Sequence, residues 1–351
     1  MVTGVGGDLV VRVASAADER AWDNYVHAHP DRTVDHLWAW SRVIAGVFGH
    51  RCVYLSVNRG DTLAGVLPLV LFQSRLFGRS AISLPFLNYG GLLADDEAAA
   101  QALVAKAETM AREFGASHVE LRHRHRQLER LTSRQHKLAF VRELPATTEE
   151  LWSQTDRKVR NQVRKAQKEG LVAEIGGSEL VQEFYNVFAT NMRDLGTPVY
   201  SRQLFLQTLE HFPARARVHV VRADTRVVAA AISIRLRDVV LVPWASSLRK
   251  CRPQCPNMLL YWDMLERAVK DGMRQFDFGR STPGAGTHQF KRQWGAREIP
   301  LHWEYAVVGR GRTLPDTSAA NPSFSRAIAI WKRLPLPVAN FFGPWIVRDI
   351  P

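Results

Sequence analysis

The chain has 351 residues, of which 46% are hydrophobic and 23% charged, with 16 Phe and 10 Trp, a composition that excludes a disordered or fibrous chain. Lys and Arg outnumber Asp and Glu by 47 to 34, a formal net charge of +13, which favours anionic partners: phosphates, nucleic acid or an anionic membrane surface. The three cysteines, Cys52, Cys251 and Cys255, are too few for a disulfide framework or a zinc site, and no apolar run nears the roughly 20 residues that span a bilayer.

The opening MVTGVGGDLV has no cationic stretch ahead of an apolar one, so a cytoplasmic protein is expected. Helical periodicity follows at 16–28, 35–48, 96–114, 148–169, 178–194, 201–211 and 256–272. Strand patterns fall at 8–14, 52–58, 63–72, 118–123, 217–222, 227–236, 239–244, 275–279 and 299–308. The alternation predicts a mixed α/β fold. Residues 310–323 are turn-rich and read as a linker, and the tail from Phe324 is apolar, basic and broken by prolines.

Two parts of the chain repeat. YLSVNRGDTLAGVLPLVLF at 54–72 shares its pattern with VHVVRADTRVVAAAISIRL at 218–236: a strand, an Arg-x-Asp-Thr turn and a long second strand. Gly115–Arg122 and Gly272–Gly279 match in the same order, each after an amphipathic helix, so one duplication of about 160 residues accounts for both pairs. The expected division is a first lobe at 1–150, a second at 151–310 and a linker with tail at 311–351.

Three segments carry chemistry. In WSQTDRKVRNQVRKAQKEG (152–170), Arg157, Arg160, Arg164 and Lys168 fall on one helical stripe with Lys158 and Lys165 beside it. Guanidinium groups bind phosphate through paired hydrogen bonds, so the stripe suits a diphosphate or an RNA backbone; a solvated helix face is the plainer alternative. Arg122-His-Arg-His-Arg126 ends a strand, and alternation puts its three arginines on one side as a basic rim; His-x-His lacks a third metal ligand, and no metal is expected. In FDFGRSTPGAGTHQFKRQWGA (276–296), a flexible loop at the end of a strand precedes Phe290-Lys291, where a lysine among aromatics could steady negative charge developing on a carbonyl oxygen. An ordinary surface lysine is the alternative. Cys255 and Asn257, opening an apolar helix, read first as caps.

These motifs, with SLPFLNYGGLLAD (83–95), NMRDLGTPVYS (191–201), WASSLR (244–249) and CPNMLLYW (255–262), resemble the Fem-type (FemAB) aminoacyltransferase branch of the GNAT superfamily, and especially its exosortase/PEP-CTERM and exopolysaccharide-associated members. The resemblance covers roughly residues 8–308 and implies tandem GNAT-like domains, each a mixed, mostly antiparallel sheet flanked by helices. It implies acyl or aminoacyl transfer onto an amine or hydroxyl of an anionic, phosphate-bearing or lipid-linked precursor. Lys291 would be catalytic, with Asp277 or Asp194 relaying a proton. Arg157, Lys158, Arg160 and Arg164 would hold the diphosphate. Tyr89, Arg193, Tyr200, Trp244, Asn257, Tyr261, Arg280, Ser281, Phe290 and Trp294, taken from the matching motifs, are further candidates for substrate binding. No bound cofactor is expected; the donor is a substrate, either aminoacyl-tRNA or acyl-CoA.

Two departures bear on that donor. No long helical arm for tRNA contact is present, and the glycine-rich acyl-CoA loop is replaced by Arg252-Pro-Gln-Cys-Pro-Asn257, where two prolines remove backbone donors. The tail WKRLPLPVANFFGPWIVRDIP (331–351) mixes aromatics and cations as interfacial segments do, so peripheral contact with the inner face of the cell membrane is a second expectation. A CoA-dependent transferase and a non-catalytic precursor-binding module are the rival readings.

Overall fold

The computed structural model describes residues 8–309, 314 and 322–351, so most of the expected linker lies outside the described residues. In chain order the elements begin with β1 (Leu9–Val13), α1 (Glu19–Ala28), α2 (Ala39–Phe48), β2 (Arg51–Arg59), β3 (Thr62–Ser74), β4 (Gly78–Ser83) and β5 (Leu93–Ala94). They continue with α3 (Glu97–Phe114), β6 (His118–His123), β7 (Thr132–Arg134), β8 (Leu138–Glu143), α4 (Thr148–Gln154), α5 (Arg157–Lys168), β9 (Val172–Gly176), α6 (Val181–Leu195) and α7 (Arg202–His211). The last are β10 (Ala216–Ala223), β11 (Arg226–Leu236), β12 (Val239–Ser247), α8 (Pro256–Lys270), β13 (Gln275–Ser281), α9 (Gly286–Arg292), β14 (Arg297–Pro300), β15 (His302–Val307), α10 (Pro322–Trp331) and α11 (Leu336–Val347).

The expected helix at 148–169 is two helices. Thr155 is extended, and the Asp156 carboxylate accepts the Lys158 N–H at 2.7 Å, so a new N-terminus is capped where one continuous helix was predicted. The expected strand at 299–308 is likewise two, β14 and β15, which join different sheets.

Packing divides the chain into two compact units: 1–135 with 300–316 and 349–351, and 136–299 with 317–348. In the first, the order is β1-β2-β3-β4-β6-β15-β7, with β5 on β3. All pairs are antiparallel except β4 with β6, which run parallel through Ala81↔Val119 and Ile82↔Glu120. The apolar face of α3 (Leu103, Val104, Ala107, Ala111) shares a core with Leu55, Val57, Leu67 and Leu69 of β2 and β3. In the second unit the order is β14-β8-β13-β12-β11-β10-β9, with β12 and β13 the parallel pair. Each unit is thus the expected mixed, mostly antiparallel sheet with helices against it.

Membership does not follow sequence order. β8 and β15 hold equivalent places in the repeat, each coming after the strand, β6 or β13, that ends the repeated pattern. Yet β15 pairs with β6, and β8 pairs with β13. Each sheet therefore contains the strand that the repeat assigns to the other.

This exchange corrects the basic rim. With β15 laid along β6, Arg122 is buried; its Nε donates to Glu120 at 2.8 Å and its guanidinium lies 4.2 Å over the Trp303 ring. His123 is buried too, between the Glu304 carboxylate at 2.5 Å and the Leu92 N–H at 3.0 Å. Of the arginines that remain exposed, Arg126 pairs with Glu129 and Arg130 with Glu108.

Candidate functional site

β12 and β13 pair only through Val239–Leu241 and Gln275–Asp277, although β12 runs on to Ser247 and β13 to Ser281. Two local features accompany the end of pairing. Between Ile232↔Trp244 and Ile234↔Leu241 the strand β12 carries an extra residue, a bulge at Val242–Pro243, and Pro243 has no N–H to give a ladder. On β13, Gly279 takes φ +71°, a left-handed conformation that side chains with a Cβ seldom adopt, and the register with β8 shifts between Asp277 and Arg280. Backbone groups beyond this point are left for other partners.

Lys291 is one of those partners. α9 carries it back so that Nζ donates to the carbonyls of Gly279 at 3.0 Å and Arg280 at 2.9 Å. The side chain is 7% exposed. Burial pushes its pKa down to about 7; the Asp277 charge works against that shift and Arg280 adds to it. Asp277 is itself buried and accepts the Gly279 N–H at 2.8 Å, which fixes the kink. Two of the ammonium's three N–H bonds are thereby committed, and one remains.

An aromatic wall surrounds this point. Tyr261 of α8 stacks on Phe278 at 5.5 Å and meets Phe290 edge-on at 5.0 Å, with the Trp294 ring at 6.2 Å. Ser281 Oγ and Trp294 Nε1 are buried with no hydrogen-bond partner among the described residues. The structure thus gathers Lys291, Asp277, Arg280, Ser281, Tyr261, Phe290 and Trp294.

It disposes the other candidates differently. Trp244 packs edge-on to Phe205 at 5.2 Å, on the part of β12 beyond the pairing. Asp194 is ion-paired with Arg193 at 2.8 Å, and Arg193 also donates to the Leu334 carbonyl, so this pair fastens α6 to the tail. The Tyr200 carbonyl accepts the Tyr185 hydroxyl at 3.0 Å. Asn257 is half-buried in the first turn of α8, and the N-cap there is Cys255 in a left-handed conformation with no side-chain cap bond, so neither residue caps as expected. Tyr89 lies buried in the first unit under the Arg124 guanidinium.

The cationic stripe on α5 splits. Arg157, Lys158 and Lys165 line a shallow, open groove of about 550 Å³ with Asp156, Asn161 and Gln162. Arg164 turns onto the Trp152 ring at 5.2 Å, and Arg160 is half-buried with its Nε enclosed. Two residues of β8 had no functional signal in the sequence. Phe140 lies 5.6 Å from Lys291 Nζ, and the buried Arg142 donates to the Trp294 carbonyl at 2.9 Å. Only the alternation in LAFVRE hints at that strand. Among the described residues no cluster of His, Cys, Asp and Glu could hold a metal ion.

The segment before α8, where an acyl-CoA diphosphate would meet backbone N–H groups, is a 3-10 turn at Arg249–Gln254. It spends the Cys251 and Cys255 N–H groups on the Leu248 and Arg252 carbonyls, and offers exposed Arg249, Lys250 and Arg252 side chains instead of a glycine cradle.

Residues 153–292 match the family described as Acetyltransferase (GNAT) domain. No curated protein sequence matches the chain. Among solved structures, FemX is similar with TM-score 0.64 at 14% identity, over 84% of this chain and 96% of that one. The C-terminal domain of a putative lysylphosphatidylglycerol synthetase from Agrobacterium fabrum gives TM-score 0.57 at 12% identity, over 83% of this chain and 92% of that one. A tandem GNAT protein from the clavulanic acid biosynthesis pathway gives TM-score 0.55 at 13% identity, over 87% of this chain and all of that one (100%). The fold is therefore that of tandem GNAT proteins, and the second unit carries an acyltransferase domain.

Proposed function

We propose that the chain transfers an activated acyl or aminoacyl group to an amine or hydroxyl of an anionic, phosphate-bearing cell-envelope or exopolysaccharide precursor, by direct attack and without a covalent enzyme intermediate. The observation that carries this reading is the end of β12–β13 pairing with Lys291 buried beside it on the Gly279 and Arg280 carbonyls. The acceptor's lone pair attacks the carbonyl carbon, and the C=O pair moves onto oxygen. The remaining N–H of Lys291 stabilises that oxyanion, which collapses to expel the donor's thiolate or ribose oxygen. Asp277, in the field of Lys291, is better placed to relay the acceptor proton than Asp194, which is engaged with Arg193. Positioning supplies most of the rate, because an activated ester needs little further activation. The groove on α5 holds the acceptor's phosphates through Arg157 and Lys158.

FemX and lysylphosphatidylglycerol synthetase are the similar structures whose names accord with aminoacyl or lipid chemistry, and the missing glycine cradle before α8 favours an aminoacyl-tRNA donor. A CoA-linked donor is the second reading, favoured by the acetyltransferase domain match. A cytoplasmic site at the inner membrane face suits either donor. Calorimetry with aminoacyl-tRNA, uncharged tRNA, acetyl-CoA and a long-chain acyl-CoA, each at two salt concentrations, tests both. Salt-sensitive preference for the charged tRNA supports the first, and saturable acyl-CoA binding the second. Binding of none of them leaves a non-catalytic precursor-binding module.

A further inference from the structure

α11 is two-faced. Val338, Phe341, Phe342 and Trp345 fall at i, i+3, i+4 and i+7, on one side of the helix, and are 37%, 67%, 51% and 63% exposed. Ala339, Gly343 and Val347 face the other way and are buried.

That inner face is tightly fastened. A Cβ at Gly343 would lie 2.9 Å from the Val199 nitrogen, so only glycine allows the helix this close to 197–200. Before α11, Arg193 Nη1 donates to the Leu334 carbonyl at 2.9 Å. A Cβ at Gly196 would come within 2.5 Å of Ile328 on α10, which leaves Ile330 outward and 64% exposed. The aromatic stripe is thus held outward by well-packed neighbours.

Cations border it. From 322 to 351 the sequence has Arg326, Lys332, Arg333 and Arg348 against the single carboxylate side chain of Asp349, and Lys332 and Arg333 are exposed. No helix among the described residues is long and apolar enough to cross a membrane, so the stripe suits lying on a bilayer.

We propose that α11 docks the protein on an anionic lipid bilayer, with Phe341, Phe342 and Trp345 entering the boundary between headgroups and acyl chains while Lys332 and Arg333 hold lipid phosphates. Trp and Phe at such a boundary keep their rings in apolar surroundings at little cost to backbone solvation, and basic flanks add attraction that salt weakens. A second copy of the chain is the rival occupant, but it would bring together two molecules of net charge +13. Docking also places 193–200, which α10 and α11 clamp, next to the membrane. This deepens the proposed function by naming the bilayer as the source of a lipid-linked acceptor, and only that clause rests on it. Vesicle binding is measured without turnover, so the two readings fail separately.

The test is flotation of the full chain with phosphatidylcholine vesicles and with vesicles containing phosphatidylglycerol, at low and physiological salt. The full chain should float with the phosphatidylglycerol vesicles and much less with phosphatidylcholine alone. The variant Phe341→Ser/Phe342→Ser/Trp345→Ser should bind at least about tenfold more weakly with an unchanged circular dichroism spectrum. Lys332→Gln/Arg333→Gln should lose the preference for anionic lipid. Failure of the full chain to float, or equal binding by the serine variant, overturns the proposal. A dimer in solution that the serine variant breaks, with no flotation, assigns the stripe to a second copy instead.

Discussion

The Nζ of Lys291 lies 3.0 Å from the carbonyl oxygen of Gly279, the residue at which β13 turns left-handed. The kink and the lysine belong together: the left-handed turn falls where β13 has left β12, and the ammonium takes the Gly279 and Arg280 carbonyls there. Replacing Lys291 with Ala should lower kcat/KM by about 10²- to 10³-fold if its third N–H meets the oxyanion. Stability should change little, because two stranded carbonyls on one side offset a relieved buried charge on the other. Steady-state kinetics alongside a thermal melt check both halves. Turnover equal to that of the parent, in a folded variant, removes Lys291 from the mechanism.

The depressed pKa of Lys291 gives a signed pH profile. Below about 7 the amine is charged, and above it the charge is lost. An oxyanion held by the ammonium then makes kcat/KM fall as pH rises through that value, against the rising limb from deprotonation of an acceptor amine. Stability moves the other way. Between about 7 and the ordinary lysine value of 10.5 the unfolded chain binds more protons than the native one, so stability rises with pH across that window. Lys291→Met should lose both dependences, measured by rate profiles and by denaturant melts at several pH values.

The α5 groove should act on binding. Arg157→Ala/Lys158→Ala removes two exposed cations from its wall and should raise KM for a phosphate-bearing acceptor about tenfold or more, leaving kcat nearly unchanged. The salt dependence of KM should flatten in parallel. An unaltered KM would assign the groove to solvent.

Glu304 is fully buried and accepts from His123 Nδ1 at 2.5 Å and from the N–H groups of Gln127 and Leu128, each at 3.0 Å. Burial alone would raise its pKa, but these donors outweigh burial and hold the carboxyl below its ordinary 4.5. The stabilisation is present above that value and is lost as pH falls through the lower folded one. Glu304→Ala, which strips the donors of their acceptor, should cost about 3–5 kcal/mol, read by chemical denaturation near neutral pH.

Much of the architecture was legible because local signals agreed with it. The amphipathic period of α3 and the two Arg-x-Asp-Thr turns report contacts close in sequence. β8 was not legible, since LAFVRE is short and its partner β13 lies more than a hundred residues later. Arg122 was misplaced for the same reason: alternation sets which side of β6 it faces, but not that β15 will return to cover it. In the site, Phe290-Lys291 stood out as a motif. Its burial and its two carbonyl partners follow from the kink at Gly279, which nothing in the local composition distinguishes from an ordinary loop glycine.

The exchange of β8 and β15 sets a timetable for the nascent chain. β6 ends at His123, and the strand that pairs along it ends at Val307. At ribosomal speeds the intervening stretch takes roughly ten to forty seconds to emerge, far longer than a hairpin needs to close. For most of that interval β8 is already present, while β15 is not. The growing polypeptide therefore has time to form a self-contained first lobe, with β8 where β15 belongs. If that pairing forms, reaching the native arrangement means breaking it once β13 and β15 are made. A chain that takes that route exchanges β8 for β15 only at the end of translation, where a chaperone that holds an open sheet edge would act.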